Sequence, residues 1–238
     1  PAAVSPCSSS GRTGVQPYAD HFPVMLRRLL IIFALLFALA GGAFGYYLYV
    51  VKERQKMEHQ YDHLIDIAAR EQKVDPYLIR AVIWRESRFK RFARGTSGER
   101  GLMQLMPATA REWAKKNNHA DFKEDDLFNE YVNIQAGVYT LARGLQKWAD
   151  RDNPIPFALA EYNAGRSRVH SWIDPGNPTS ARAFYERIDI PSTRRYVWII
   201  ERKYQEYLWR EQNPNWWWWP YEFLNNLTSS EDDPTVTD

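Results

Sequence analysis

A single cysteine, Cys7, serves the whole 238-residue chain. No intrachain disulfide can form, a multi-cysteine metal site is excluded, and Cys7 does not follow an apolar run as a lipid-attachment cysteine would. Histidine is sparse as well. His21, His59, His63, His119 and His170 include one pair at helical i, i+4 spacing, His59 and His63, with no third ligand beside it, so no metal and no cofactor is expected. Net charge is only +2, from 31 basic against 29 acidic residues. The strongly basic face that nucleic acid demands is missing, and no nucleic-acid partner is expected. The sequence also shows no internal repeat, no glycine-rich phosphate loop and no convincing alternating strand.

What is present is 45% hydrophobic and 25% charged residues, enough for one well-packed domain with extensions and too little for two full domains. A monomer is expected. Residues 1–24 are rich in Pro, Ser, Gly and Ala, without apolar periodicity, and are read as a disordered or non-native extension. Met25-Leu26-Arg27-Arg28 ahead of an apolar run looks like the start of an export signal. Residues 29–51 then give 23 uncharged positions, long enough to cross a bilayer. Ala38-Leu39-Ala40 resembles a signal-peptidase site, which leaves a cleaved signal open. Tyr46, Tyr47 and Tyr49 at the far end favour an uncleaved signal anchor over 25–52. Arg27 and Arg28 face Lys52, Arg54 and Lys56 across the run, so the positive-inside rule does not orient it.

Beyond the apolar run, helical patterns follow one another. Met57, Tyr61, Leu64, Ile65 and Ala68 predict a packing helix over 55–72. Asp75-Pro76 is a strong helix start, and Pro107 opens another helix to about Lys116. Residues 91–100 read as a loop and 117–128 as irregular, after which Asn129 caps a long helix to about Ala149. Pro154 and Pro156 introduce a short helix ending near Asn163, with Gly165 suited to the left-handed region past its end. Residues 166–173 and 181–188 are helical, 174–178 form a turn, and Thr193 is expected to cap the last long helix.

One residue breaks these patterns. Ile79, Val82, Ile83 and Glu86 stand at i, i+3, i+4 and i+7, so the face that should point at the core carries a carboxylate. Desolvation there raises a carboxyl pKa, as general-acid catalysis near neutrality requires. The plainer alternative is a carboxylate paired with Arg85, Arg88 or another arginine.

Four segments bear on that choice: Glu86-Ser87-x-Phe89, Gly101-Leu102-Met103-Gln104-Leu105-Met106-Pro107, Ala160-Glu161-Tyr162-Asn163-Ala164-Gly165, and Thr193-Arg194-x-Tyr196-Val197. In this order, over roughly residues 61–207, they resemble the lytic transglycosylases related to goose-type lysozyme. Asn133-Ile134-x-x-Gly137 is also similar to the family, where that helix is largely structural. Ile190-Pro191-Ser192-Thr193 departs from the family pattern in a shortened spacer and a missing Glu, which bears on the geometry around Tyr196. The resemblance implies a predominantly α, lysozyme-like (goose-type) catalytic domain over 53–212, with at most a small β-hairpin within 89–101. It implies peptidoglycan glycan strands as substrate and so a periplasmic catalytic domain, which the anchor read from residues 29–51 would hold to the cytoplasmic membrane, with a secreted periplasmic protein cut near Ala40 as the alternative. Glu86 is the implied acid, then base, of non-hydrolytic cleavage between N-acetylmuramic acid and N-acetylglucosamine. Ser87, Gln104, Tyr162, Asn163 and Tyr196 match residues that orient that acid or the substrate.

Two rivals remain at this stage: a muramidase of the same fold that uses water, and a non-catalytic membrane-anchored murein-binding scaffold. Glu99, Glu161 and Asp174 are the nearest second carboxylates, and none looks attractive as a nucleophile, Glu99 lying in a Gly-Ser loop and Asp174 in a Pro-Gly turn. Residues 213–238 read as a Trp-rich segment and an acidic disordered tail. Trp216 to Trp219 cannot all face one core and could stack on sugar, touch a membrane interface or pack on the domain.

Overall fold

Helix starts in this chain are set by short polar residues and prolines. In the computed structural model, which describes residues 21–213, the Asp75 carboxylate accepts from the Tyr77 N–H at 2.8 Å and Pro76 takes the first helical position, where its missing N–H costs nothing. Asn129 accepts from the Val132 N–H at 3.1 Å at the start of another helix. The helices in chain order are α1 (His21–His59), α2 (Asp62–Gln72), α3 (Pro76–Ser87), α4 (Pro107–Lys116), α5 (Glu130–Lys147), α6 (Ile155–Ala164), α7 (Arg166–Trp172), α8 (Ala181–Glu186) and α9 (Pro191–Gln212). A short 3-10 helix, Glu124–Phe128, precedes α5 in the stretch expected to be irregular. Among the described residues there is no strand: the hairpin allowed over 89–101 is reduced to isolated bridges, Arg94 with Arg100 and Arg100 with Leu105. The fold is predominantly α.

The chain divides into two compact units, Pro1–Arg54 and Gln55–Asp238. In the first, the described part is the apolar length of α1, exposed along residues 24–49. By length and composition this helix is able to cross a membrane.

In the second unit, two expectations are corrected. The helix expected over 55–72 is broken, because α1 ends at His59, Tyr61 leaves helical geometry with φ −112° and ψ 10°, and α2 restarts at Asp62. The break changes which face is buried: Met57, expected to pack, is 46% exposed, while Glu58 is 2% exposed. Glu58 is held by Arg210 at 3.0 Å, with Lys203 at 3.8 Å, the pairing that a buried carboxylate needs. Thr193 does not cap the last helix. Pro191, whose fixed φ suits a first helical position, sets the start of α9 one turn earlier, with Ile190 at the N-cap.

The core of the second unit is built around α5. Its residues Ile134, Ala136 and Val138 are fully buried, and it packs against α2, α4 and α6. The last helix, α9, packs on both α3 and α6. Residues 1–20 and 214–238, with Cys7, Trp216–219 and the acidic tail, lie outside the described residues.

Candidate active site

Glu86 occupies the last turn of α3, where the apolar face that begins at Ile79 emerges from the core. Ile79, Val82 and Ile83 are fully buried. Arg88 and Phe89 then take positive φ of 54° and 61°, which ends the helix and turns the chain away, so the carboxylate lines a cleft of about 910 Å³. Burial pushes its pKa up to about 7, and the Glu99 charge adds to the rise; a hydrogen bond from Tyr196 and the nearby Arg85 oppose it. The Tyr196 hydroxyl donates to Glu86 Oε1 at 2.6 Å. Tyr196 is 1% exposed, and burial, then the Glu86 charge, holds its phenol well above the ordinary tyrosine range, so it remains a donor at any working pH. Arg85 lies over the Tyr196 ring at 5.3 Å. Glu86 is thus held by a neutral hydroxyl, with Arg85 acting on it through space.

Gln104 and Leu105 line the same cleft from a loop, residues 101–105, that is pinned from α5. Asn133, fully buried, accepts from the Met103 N–H at 2.7 Å and donates to the carbonyls of Arg100 and Leu127, both at 2.9 Å. Gly101 sits at φ 80°, and a Cβ there would meet the Leu127 oxygen at 2.2 Å; no other residue fits. Gln104 has φ 46°, uncommon for a residue with a side chain. Its Nε2 donates to the carbonyls of Ala93 at 3.1 Å and Gly101 at 2.8 Å, so the amide oxygen is the group left for the cleft. The Tyr162 hydroxyl is spent on the same loop, donating to the Met103 carbonyl at 2.8 Å.

Asn163 is exposed on the cleft wall, and its Oδ1 accepts from Thr193 Oγ1 at 2.9 Å. Gly165, which follows α6, has φ 85° but ψ 157°, an extended conformation open to glycine and not the left-handed helical one expected. Ser87 is not part of the lining: it is 6% exposed and its hydroxyl donates to the Ile83 carbonyl at 3.2 Å, one turn back in α3. The structure therefore brings Glu86, Gln104, Tyr162 and Asn163 to one cleft, with Tyr196 behind Glu86 and Ser87 turned into the helix.

Of the three other carboxylates singled out, Asp174 is outside the cleft and accepts from the Gly176 N–H at 3.2 Å. Glu161 lines the cleft but is tied to Arg166 at 2.9 Å, Lys147 at 3.1 Å and Trp148 Nε1 at 3.0 Å. Burial pushes its pKa up, and these bonds outweigh burial and hold it below the ordinary range. Glu99 also lines the cleft, accepting from the Ser97 N–H at 3.0 Å; its place in a Gly-Ser loop gave no sign of this. Sequence reasoning missed two more residues. Thr193 was read as a cap, and Glu201, whose half-buried carboxyl is pushed by desolvation up to about 7, lies away from the cleft beside Asn153.

Comparison with known proteins bears on this geometry. The curated relatives include membrane-bound lytic murein transglycosylase F of Desulfosudis oleivorans, 38% identical over 44% of this chain and 22% of that protein. They also include the soluble lytic murein transglycosylase of Salmonella typhimurium, 34% identical over 49% of this chain and 18% of that protein. Among solved structures, an inactive Glu-to-Gln mutant of the lytic transglycosylase Slt from Pseudomonas aeruginosa is similar with a TM-score of 0.56 and 27% identity, over 63% of this chain and 24% of that one. The chain spans a quarter or less of the length of these three proteins. The helical fold is the lysozyme-type fold expected from the motifs. The model of the transglycosylase SLT domain matches residues 63–184, just over half of the sequence, and the chain belongs to that family.

Proposed function

We propose that the protein is a peptidoglycan lytic transglycosylase that cuts the β-1,4 bond between N-acetylmuramic acid and N-acetylglucosamine and leaves a 1,6-anhydromuramic acid end. The observation that carries this reading is Glu86, a half-buried carboxyl raised to about 7 on the wall of a cleft of about 910 Å³. A group with that pKa exchanges its proton near neutral pH, so one residue can serve as acid and then as base. Protonated Glu86 gives its proton to the glycosidic oxygen as the C1–O bond breaks. The muramic acid 6-hydroxyl then attacks C1 and returns its proton to Glu86, with no water consumed. The names of the two curated relatives, both lytic murein transglycosylases, support the class of activity.

The other side chains take supporting roles in this reading. Tyr196 occupies Oε1 of Glu86 and leaves Oε2 to carry the proton. Tyr162 braces the loop that presents Gln104, Gln104 and Asn163 meet the substrate, and Ser87 steadies the end of α3. Glu99, on the same cleft, favours a second reading in which a further carboxylate activates water and the product is a hydrolysed, reducing end. We place the protein in the bacterial cell envelope, anchored by α1 in the inner membrane with its second unit on the periplasmic side; release of the full-length protein by a carbonate wash would argue against an anchor. Purified protein digesting isolated sacculi tests the catalytic assignment. Glu86→Gln keeps the shape and the Tyr196 bond but cannot shuttle a proton, and should bind sacculi while releasing no muropeptides. Release at the wild-type rate would remove Glu86 from the mechanism.

A further inference from the structure

Tyr196 is not alone in reaching toward the cleft from α9. One turn earlier, Thr193 is 2% exposed, and its Oγ1 donates to Oδ1 of Asn163 at 2.9 Å. A helical threonine ordinarily turns its hydroxyl back to a carbonyl three or four residues before it. Here the carbonyl three residues back, that of Ile190, already accepts from the N–H groups of Thr193 and Arg194, both at 3.0 Å. With Ile190 at the cap position, the hydroxyl has no capping duty either. It is spent on a residue 30 positions earlier, on another helix.

The consequence lies in the chemistry of a primary amide. Asn163 carries one acceptor oxygen and one NH2 group with two donors, and the two ends are nearly the same size. A lone amide on a cleft wall can turn over and offer either end. A hydroxyl can also accept from the NH2, but the buried Thr193 proton would then lose its acceptor, the Ile190 carbonyl being taken. The arrangement that satisfies it sets Oδ1 toward Thr193 and leaves the NH2 for the cleft. We propose that Thr193 is a positioning residue that sets the polarity of Asn163, so that this wall presents a hydrogen-bond donor and receives an acceptor oxygen of the amide-carbonyl or hydroxyl class. The inference rests on the proposal that a murein strand occupies the cleft, since its N-acetyl carbonyls and hydroxyls supply such oxygens. One helix then sets two polarities, because Tyr196 directs its proton at Glu86 Oε1 in the same way.

The test uses the full-length protein with Thr193→Val, which keeps the shape and removes the hydroxyl, Thr193→Ser, which keeps the hydroxyl, Asn163→Ala, and the Thr193→Val/Asn163→Ala pair. At limiting murein, Thr193→Val should release muropeptides about three- to tenfold more slowly, the effect of one neutral hydrogen bond, and Thr193→Ser should recover to within about twofold. On the Asn163→Ala background, Thr193→Val should cause no further loss, because the two residues act as one unit. A wild-type rate in Thr193→Val, or the same fold-loss with and without Asn163, overturns the inference. A second readout is independent of activity: the side-chain NH2 resonance pair of Asn163, assigned as the pair lost in Asn163→Ala. It should move in Thr193→Val and return in Thr193→Ser. If the wild type released nothing, the proposed function would fail while this pair still judged Thr193, and a pair unmoved in Thr193→Val would refute its role.

Discussion

Replacing Glu86 with Gln should abolish product release and at the same time stabilise the fold, by an amount that follows from the burial of the carboxyl. In the folded protein Glu86 is held at about 7, against an ordinary value of 4.5. The folded-state pKa is raised, so the favourable contribution of this group is fully present below about pH 4.5 and is lost as pH rises through 7. Above that range the native state bears a cost of about 3 kcal/mol for keeping an ionised carboxylate where it is only partly hydrated. Gln fills the same space, still accepts from Tyr196 and never ionises. The variant should match the wild type near pH 4 and exceed it by up to about 3 kcal/mol from pH 7 upward, roughly 6–12 °C in Tm for a domain of this size. Glu201 has a similarly raised pKa, but both proteins carry it and it cancels in the difference. Melting followed by tryptophan fluorescence at pH 4, 6 and 8 measures the gap. A gap that does not widen with pH, or a variant that melts below the wild type at pH 8, would refute the claim that Glu86 is a strained, desolvated acid.

Two further perturbations probe the elements around it. Tyr196→Phe removes the hydrogen bond that favours ionised Glu86, so the Glu86 pKa should climb and the corresponding limb of the pH–rate profile should shift to higher pH; an unshifted limb would separate Tyr196 from the titrating group. Gly137→Ala would place a Cβ 2.3 Å from the Met103 sulfur, and since Met103 is fully buried the loop bearing Gln104 must move. Despite the better helix propensity of Ala, this variant should melt lower, by about 1–3 kcal/mol, and release muropeptides more slowly; a Tm at or above wild type would show that the loop yields freely.

The parts of this protein that could be read in advance are those fixed by neighbours in sequence. Asp75-Pro76, Pro107 and Asn129 announce helix starts because a cap is a contact over two or three residues, and the structure has α3, α4 and α5 begin there. Glu86 stood out for a related reason, as a carboxylate in an apolar stripe. What the residues could not show by themselves is set by partners far along the chain. The Tyr196–Glu86 bond joins residues 110 positions apart, and that pairing was approachable only through the motif resemblance. Thr193 was misread because a local role, capping, was available, while its actual partner lies on α6. Met57 and Glu58 exchanged places because no sequence signal marked the turn at Gln60 and Tyr61, and Glu99 reaches the cleft through the folding of a loop with no periodicity to betray it.

The central claim, that a single acid cleaves without water, is decided by the mass of the products. Sacculi digested by the wild-type protein should yield muropeptides ending in 1,6-anhydromuramic acid, lighter by one water, about 18 Da, than the hydrolysed form, and borohydride should leave these ends unreduced. Muropeptides with the full water mass and borohydride-reducible ends would contradict the account and assign the cleft to hydrolysis.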